Sequence, residues 1–304
     1  MNIAVTGASG FVGGNLIPYL KSLNHNVLAI SRTNKFTYSY LDSIFIDKNN
    51  INIVIHLAGK AHDFKKTIRP SEYFEANTEL TISLFNEFLN SKASTFIYFS
   101  SVKAVTDKGS LPITEEFNAD PISVYGISKL KAETYIQSMV IPESKKVFIL
   151  RPCMVHGPGN KGNLNLLYKI VSKNLPWPLG AFDNLRSFCS IDNILFILKE
   201  LIEREDILSG VYNVADDEPL STNSIIKLIA VSQDQTAKIW NLPKAFIFVL
   251  AKFGDAFRLP LNSESLQKLT ESYVVSNKKI LLAIGKSLPV SSKDGLMKTL
   301  KSFK

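Results

Sequence analysis

Hydrophobic and polar positions over the first 150 residues alternate between two patterns. Short, near-continuous apolar runs rich in β-branched and aromatic residues are typical of strands buried on both faces of a parallel sheet. These runs lie at 2–7, 26–31, 51–59, 94–101 and 145–152. Helical patterns lie between them, at 12–23, 72–91 and 121–139. Because strands alternate with helices, the pattern predicts right-handed βαβ crossovers and a doubly wound parallel α/β sheet.

The pattern is irregular in 31–50, where we expect a reduced third strand, and it changes after residue 151. Glycine and proline cluster at 152–162 and 176–180. Helical patterns dominate from about 220, apart from strand-like runs at 187–191, 210–214 and 236–240. These changes predict two lobes with a cleft between them. We expect a sheet domain over 1–160 with a returning segment at about 185–215, and a smaller lobe from 161–184 and 216–304.

Three glycines follow the first apolar run, at the point where a helix is predicted to begin. Gly7, Gly10 and Gly13 are spaced G-x-x-G-x-x-G. Glycine permits a tight turn and a close approach of backbone N–H groups to a pyrophosphate, and the helix N-terminus adds partial positive charge. The alternative is an ordinary strand–turn–helix connection. Its position in an N-terminal βαβ unit favours nucleotide binding.

The end of the second predicted strand bears on the choice of cofactor. An acidic residue there would bond the ribose 2′-hydroxyl of NAD and repel the 2′-phosphate of NADP. This chain has Ser31 and Arg32 instead, and an arginine can pair with a phosphate. The sequence therefore favours NADP over NAD, although Arg32 is equally compatible with a solvated surface position.

A tyrosine and a lysine stand four residues apart in "SVYGISKLKAET" (123–134), where a helix is predicted to start. At this spacing the side chains of Tyr125 and Lys129 project from the same helix face. A nearby ammonium lowers the pKa of a phenol, so the pair can act in proton transfer. Two unrelated surface residues would give the same spacing.

Composition and charge exclude several classes of protein. The chain has 304 residues, of which 45% are apolar, but no apolar run reaches the roughly 18–20 residues that span a bilayer. Its N-terminus lacks a secretory leader, so we expect a cytoplasmic protein. The net charge of +8 is scattered, which argues against nucleic-acid binding. Cys153 and Cys189 lack partners at metal-ligand spacing and are expected to be buried free thiols.

Several further motifs carry a resemblance that covers nearly the whole chain. With the tyrosine–lysine pair, they resemble the extended short-chain dehydrogenases/reductases, the group that includes the NAD-dependent epimerase/dehydratase family. The resemblance implies a Rossmann-type sheet with a smaller, mostly helical C-terminal substrate lobe. The motifs are "TGASGFVG" (6–13), "HLAG" (56–59), Asn77 in "FEANTELT", "FSS" (99–101), "LRPCMVHGPG" (150–159), "RSFCSIDN" (186–193) and "YNVADDEPLS" (212–221).

The resemblance also implies roles for individual residues. Tyr125 would be the general acid/base, Lys129 would lower its pKa and hold the nicotinamide ribose, and Ser101 would bond the reacting oxygen, with Ser100 as a fallback. No metal is implied. The residues implied in cofactor binding are Gly7, Ser9, Gly10, Phe11, Gly13, Ser31, Arg32, Leu57, Ala58, Gly59, Asn77, Tyr125, Lys129, Pro152 and Val155. Those implied in substrate binding are His62, Ser101, Arg186 and Arg258.

The residues after Ser101 reduce the number of reactions that the family resemblance allows. Dehydratases of this family have an acidic pair there, whereas this chain has Val102 and Lys103, which argues against a 4,6-dehydratase. The absence of an acid after the second strand favours a net ketoreductase over an epimerase that recycles NAD. The stretch 157–180 resembles enzymes of UDP-N-acetyl-hexosamine derivatives.

We therefore expect a UDP-4-keto-6-deoxy-hexosamine reductase of surface polysaccharide biosynthesis. A UDP-sugar 4-epimerase, a dehydrogenase of steroids or flavonoids and a non-catalytic NADP-binding regulator are the alternatives. A homodimer formed by helices 72–91 and 121–139 is expected from the family. His156, which replaces the usual tyrosine of "VYGPG", is expected to be a packing change.

Overall fold

The computed structural model describes residues 1–31, 41–61, 69–109, 112–160, 163–257 and 262–303. The strands of this part of the chain are short, and most of them belong to one sheet. They are β1 (Asn2–Thr6), β2 (Asn26–Ile30), β3 (Ile53–His56), β4 (Thr95–Phe99), β5 (Lys146–Pro152), β6 (Met154–His156), β7 (Leu185–Arg186), β8 (Phe188–Ser190), β9 (Gly210–Val214) and β10 (Leu220–Ser221).

The main sheet has the strand order β2-β1-β3-β4-β5-β9, and every neighbouring pair in it is parallel. All five strands predicted in the first 150 residues are present, and the run at 210–214 supplies the sixth. Because all six strands run in one direction, their carboxyl ends lie at one edge of the sheet, where loops of open α/β sheets bind ligands. The doubly wound parallel sheet is therefore confirmed.

Helices cover both faces of this sheet and make up most of the C-terminal part of the described chain. They are α1 (Phe11–Ser22), α2 (Ser43–Lys48), α3 (Pro70–Phe74), α4 (Leu80–Asn90), α5 (Val124–Ser138), α6 (Asn163–Ser172), α7 (Ile191–Glu203), α8 (Thr222–Ser232), α9 (Lys244–Phe257), α10 (Ser263–Thr270), α11 (Lys278–Ile284) and α12 (Ser292–Lys301). A π-helical turn, Glu75–Glu79, joins α3 to α4. None of the described helices is long and apolar enough to cross a membrane.

Two of the predicted strands differ from what the structure shows. The expected reduced strand in 31–50 is wrong for residues 41–50, which contain the helix α2 and no strand, while residues 32–40 lie outside the described chain. Asp42 favours the helix because its side chain caps α2 by accepting a hydrogen bond from the Phe45 backbone N–H at 2.7 Å,. The run at 236–240 forms no strand and contributes an isolated bridge between Ile239 and Trp177.

Separate apolar cores lie on the two faces of the main sheet. One face packs against α1, α7 and α11, and the other packs against α4 and α5. On the second face Phe85, Phe88 and Phe96 form a cluster with ring centroids 5.2–6.0 Å apart. Burying one such side chain contributes about 1.5–3 kcal/mol, so this cluster fixes α4 firmly on the sheet.

A third core belongs to the C-terminal helices. It joins α6, α8, α9 and α12 to the short strands β8 and β10. Its largest buried aromatic side chains are Trp177, Phe182 and Phe188. This core supports the segments that follow β6, and it places β7 beside the carboxyl edge of the main sheet.

Candidate active site

The glycine loop between β1 and α1 packs tightly against the end of β3. Gly7 has φ +70°, and a Cβ at this residue would lie 2.7 Å from the backbone N of Ala58. A Cβ at Gly13 would lie 2.5 Å from the carbonyl oxygen of Gly7. Any other residue at Gly7 or Gly13 would therefore collide with backbone. Ser9 and Gly10 at the tip of the loop are exposed, and no side chain caps the N-terminus of α1.

The segment after β3 is fixed by Asn77, which lies in the π-helical turn. The Asn77 side chain accepts a hydrogen bond from the Lys60 backbone N–H at 2.8 Å and donates to the Ser128 hydroxyl at 2.9 Å. A Cβ at Gly59 would lie 2.7 Å from Asn77 Oδ1 and 3.2 Å from Lys129 Nζ. The glycine loop, Gly59 and α5 thus line one continuous region at the carboxyl edge of the sheet.

The remaining residues predicted to bind cofactor divide into those at the same edge and those outside the described chain. Ser31 follows β2 directly and is buried. Pro152 ends β5, Val155 lies in β6, and Phe11 begins α1. Arg32, together with the predicted substrate residues His62 and Arg258, lies outside the described residues.

Tyr125 stands in the first turn of α5, close to the loop after β4. Burial raises the pKa of the Tyr125 phenol, and a hydrogen bond with the Ser101 side chain opposes that shift. The Tyr125 ring also meets Tyr73 edge-on at a centroid distance of 6.4 Å. The Ser101 side chain therefore lies at the Tyr125 hydroxyl.

Lys129 lies one turn further along α5 and is 4% exposed. Its Nζ donates to the Phe99 carbonyl at 2.9 Å and lies 4.8 Å from the centroid of the Tyr98 ring. Burial lowers the pKa of Lys129 to about 8, and the Glu133 carboxylate partly counteracts this. The Tyr125 pKa is nonetheless raised, not lowered, because loss of water around the phenol is the largest effect and the Lys129 ammonium donates to the Phe99 carbonyl in β4.

Below Lys129 lies a buried ion pair that the sequence analysis missed. Glu133 is fully buried and Arg151, in β5, is 5% exposed. Arg151 donates from Nε to both carboxylate oxygens, at 3.1 and 3.0 Å, and from Nη2 to Oε2 at 2.6 Å. The sequence spacing of Glu133 could have pointed to it, because Tyr125, Lys129 and Glu133 at i, i+4 and i+8 share one helix face.

The two candidate serines, Ser100 and Ser101, differ in their relation to this ion pair. The Ser100 hydroxyl donates to Glu133, so it faces the interior below the site. The Ser101 hydroxyl accepts from the Lys103 backbone N–H at 3.2 Å and keeps its own proton for another acceptor,. Of the two, Ser101 is the one positioned to contact a substrate.

Arg186 in β7 and Lys103 in the turn after Ser101 place two cations near one another, since the charge of Arg186 acts on Lys103. Arg186 Nε donates to the Glu271 carbonyl at 3.2 Å, and Nη2 donates to the Lys268 carbonyl. Lys103 Nζ donates to the Asp107 carbonyl at 2.9 Å. Burial lowers the pKa of Lys103, and the charge of Arg186 adds a smaller lowering. Arg186 therefore also ties β7 to the end of α10, a role the sequence did not indicate.

His156 and the two cysteines are structural. His156 is fully buried, with Nδ1 2.9 Å from Thr299 Oγ1 and Nε2 3.4 Å from Asp216 Oδ2. This position agrees with the expected packing role. Cys153 and Cys189 are buried free thiols, as expected. Among the described residues no cluster of metal-ligating side chains is present.

Comparison with known proteins agrees with this geometry. The model of the NAD dependent epimerase/dehydratase family matches residues 3–215. A UDP-glucose 4-epimerase of Vibrio cholerae is 29% identical over 99% of this chain and 95% of its own length. A GDP-6-deoxy-D-mannose reductase of Pseudomonas aeruginosa is 27% identical over 74% of this chain and 78% of its own. The Bordetella bronchiseptica enzyme WbmG, solved in complex with NAD, has a similar fold, with a TM-score of 0.77 at 19% identity over 100% of this chain and 94% of WbmG.

Proposed function

Because the chain belongs to the NAD dependent epimerase/dehydratase family, we propose that Ser101, Tyr125 and Lys129 form the active site of a nucleotide-sugar oxidoreductase. The observation that carries the proposal is the convergence of these three side chains beside the glycine loop. Ser101 meets the Tyr125 hydroxyl, and Lys129 faces Gly59 at the end of β3. Relatives that act on nucleotide sugars by epimerisation or reduction support the substrate class.

The residues present fit a nicotinamide dinucleotide. The backbone of the glycine loop is free of side chains where a pyrophosphate would approach, and the uncapped N-terminus of α1 favours an anion,. Because Gly59 has no side chain, its backbone packs directly against Asn77 Oδ1 and Lys129 Nζ, which keeps the ammonium group at the end of β3, where a ribose is expected. When bound, the cofactor supplies hydride donor and acceptor chemistry.

Tyr125, assisted by Ser101 and Lys129, would transfer the proton. Burial keeps the Tyr125 phenol protonated at neutral pH because its pKa is raised, so Tyr125 can donate a proton to the oxygen of a ketone undergoing reduction. Ser101 holds that oxygen, and the Lys129 ammonium stabilises the phenolate that remains. Oxidation of an alcohol uses the same contacts in reverse.

For the net reaction we propose reduction of a UDP-linked 4-keto-6-deoxy-hexosamine, for surface polysaccharide synthesis in the cytoplasm. Val102 and Lys103 after Ser101 place no carboxylate for dehydration. UDP-sugar 4-epimerisation is the second candidate, and the V. cholerae relative favours it. WbmG was solved with NAD, whereas Ser31 and Arg32 are the ground for preferring NADP. The two-lobe division and the homodimer formed through α4 and α5 remain parts of the proposal.

Anaerobic mixing with reduced cofactor separates these reactions. NADH and NADPH are each mixed with UDP- and dTDP-linked 4-keto sugars, and cofactor absorbance is followed. We expect stoichiometric loss of the reduced cofactor with a UDP-4-keto sugar, and faster loss with NADPH. Interconversion of UDP-sugars without net cofactor loss would identify the epimerase instead. No turnover in either assay would contradict the proposed chemistry.

Arg186 is expected to hold the diphosphate of the substrate. Arg186→Ala should raise KM for a UDP-sugar and weaken binding of free UDP by about tenfold or more, since a charge-assisted hydrogen bond contributes about 1.5–3 kcal/mol. Arg186→Lys keeps the charge but loses the planar fork, so it should recover part of the loss. Calorimetric titration of UDP into the cofactor-loaded proteins measures both effects.

Cofactor affinity is the control for the Arg186 variants, because Arg186 also bonds the carbonyls of Lys268 and Glu271. Unchanged cofactor affinity shows that the sheet edge is intact. If UDP fails to bind the wild-type protein, or binds all three proteins equally, Arg186 is not the diphosphate ligand and a non-phosphorylated substrate becomes the better candidate.

A further inference from the structure

Helix α9 presents a stripe of large apolar side chains to solvent. Phe246, Val249, Leu250, Phe253 and Phe257 are 51%, 52%, 39%, 58% and 70% exposed. Their spacing of i, i+3, i+4, i+7 and i+11 places them along one side of the helix. We call these five residues the α9 stripe. Its position differs from that of the active-site groups, none of which lies on α9.

A different side of α9 holds the helix on the protein. Ile247 and Ala251 are each 1% exposed and belong to the third core, and Gly254 is buried with them. Because two of these three residues are small, α9 can lie close to the core, and α10 packs beside it. The α9 stripe is thus the outer surface of a docked helix.

The size of the α9 stripe favours a bilayer over a second protein copy. Its exposed area is on the order of 500 Å², from the exposed fractions of five side chains of roughly 150–250 Å² each. That is as large as the largest patch on a typical monomer, about 300–600 Å². A stable protein interface buries about 800 Å² on each partner. The stripe is therefore too small to hold a dimer together alone.

Charge and aromatic composition around the α9 stripe match an anionic lipid surface. Lys238, Lys244 and Lys252 are exposed, and no described carboxylate lies within 4.0 Å of their ammonium groups. Trp240, four residues before α9, is 54% exposed. Lys252 follows Val249 by three residues and so lies beside the stripe, whereas Lys244 lies further round α9, with its Nζ 5.6 Å from the centroid of the Phe182 ring,. Phenylalanines along one side, a lysine beside them and a tryptophan before the helix start are the composition of helices that lie in a membrane interface.

We propose that the protein docks reversibly on anionic lipid bilayers through the α9 stripe. Phe246, Phe253 and Phe257 enter the boundary between headgroups and acyl chains, while the lysines pair with lipid phosphates. The apolar contact supplies part of the affinity, and each lysine near the surface adds an electrostatic contribution that salt screens. The proposal is independent of which sugar is the substrate.

Vesicle flotation tests the docking. The probes are vesicles of phosphatidylcholine with phosphatidylglycerol at about two to one, which provide the anionic surface, and vesicles of pure phosphatidylcholine. Wild-type protein should float with the anionic vesicles, less with the neutral ones, and less as NaCl is raised. The double variant Phe246→Ser/Phe253→Ser should lower the partition coefficient at least about tenfold, since each loses an apolar ring. Lys244→Gln/Lys252→Gln should lower binding to anionic vesicles selectively.

Leu282→Ser is the matched control, because Leu282 on α11 is 83% exposed but lies away from the α9 stripe. This variant should float like the wild type. The proposal is overturned if the wild-type protein floats with neither kind of vesicle. It is also overturned if the Phe246→Ser/Phe253→Ser variant floats as much as the wild type. Sedimentation velocity without lipid provides a further test. A dimer that dissociates in the Phe246→Ser/Phe253→Ser variant would assign the stripe to a second copy and also overturn it.

Discussion

Tyr125→Phe is expected to lower turnover by about 10²–10⁴-fold, the usual contribution of general acid–base catalysis. The substitution removes the phenolic oxygen and keeps the ring, which packs edge-on against Tyr73. Cofactor affinity and the thermal midpoint should therefore change little. Steady-state assays of the purified variant with a UDP-4-keto sugar, together with cofactor titration, separate the loss of chemistry from a loss of binding.

Tyr73→Phe is the matched control for this variant. Its hydroxyl belongs to the neighbouring ring, whose centroid lies 6.4 Å from that of Tyr125, and we expect nearly wild-type turnover. Near-full activity of Tyr125→Phe would remove Tyr125 from the mechanism. An equal loss in both variants would point to ring packing as the cause.

Breaking the Glu133–Arg151 ion pair is expected to have the largest effect on stability. Glu133→Met and Arg151→Met should each destabilise the protein by about 3–5 kcal/mol, since each leaves one buried charge unpaired. The double variant Glu133→Met/Arg151→Met replaces both charges with apolar side chains and should lose much less than the sum. Urea unfolding of the four proteins, followed by circular dichroism, gives this double-mutant cycle. Additive losses would show that the two charges do not stabilise one another.

The pH dependence of turnover in the Glu133→Met variant tests whether Glu133 also affects catalysis. Glu133 raises the pKa of Lys129, which burial has lowered to about 8. Ketone reduction needs the Lys129 ammonium, so the wild-type rate should fall as the pH rises through about 8. Without the Glu133 carboxylate the pKa of Lys129 falls further, and the decline should move to lower pH in Glu133→Met. A profile that stays in place would leave Glu133 a purely structural role.

The sheet, and the placement of Tyr125 and Lys129 in one helix, could be predicted from the sequence because both depend on local patterns. Five apolar runs marked β1 to β5, and the four-residue spacing of Tyr125 and Lys129 placed them on one face of α5. The weak run at 31–50 misled the prediction because residues 43–48 form a capped helix. A capping Asp before a short apolar stretch outweighed the expectation set by strand alternation.

The parts that could not be predicted depend on contacts between distant segments. Arg151 ends an apolar run, and its partner Glu133 becomes evident when α5 packs against β5. The sequence alone predicts that Arg186 is a free cation. In the structure its Nε and Nη2 donate to the carbonyls of Glu271 and Lys268, which are more than 80 residues away in the chain. The pKa of the Tyr125 phenol likewise depends on how deeply α5 packs, because burial raises it. The sequence spacing of Tyr125 and Lys129 does not specify that depth.

The pairing of His156 with Thr299 has a consequence for folding during synthesis. Thr299 lies in α12, and a Cβ at Gly295 of the same helix would approach Ser190 to 2.9 Å, so α12 presses directly on β8. The strands β1 to β5 can pair once the ribosome has passed Pro152. At about 5–20 residues per second, the roughly 150 residues up to Leu300 take a further seven to thirty seconds or so. Until α12 is made, His156 in β6 lacks its partner Thr299, and the surface of β8 that α12 covers in the folded protein stays open to a chaperone.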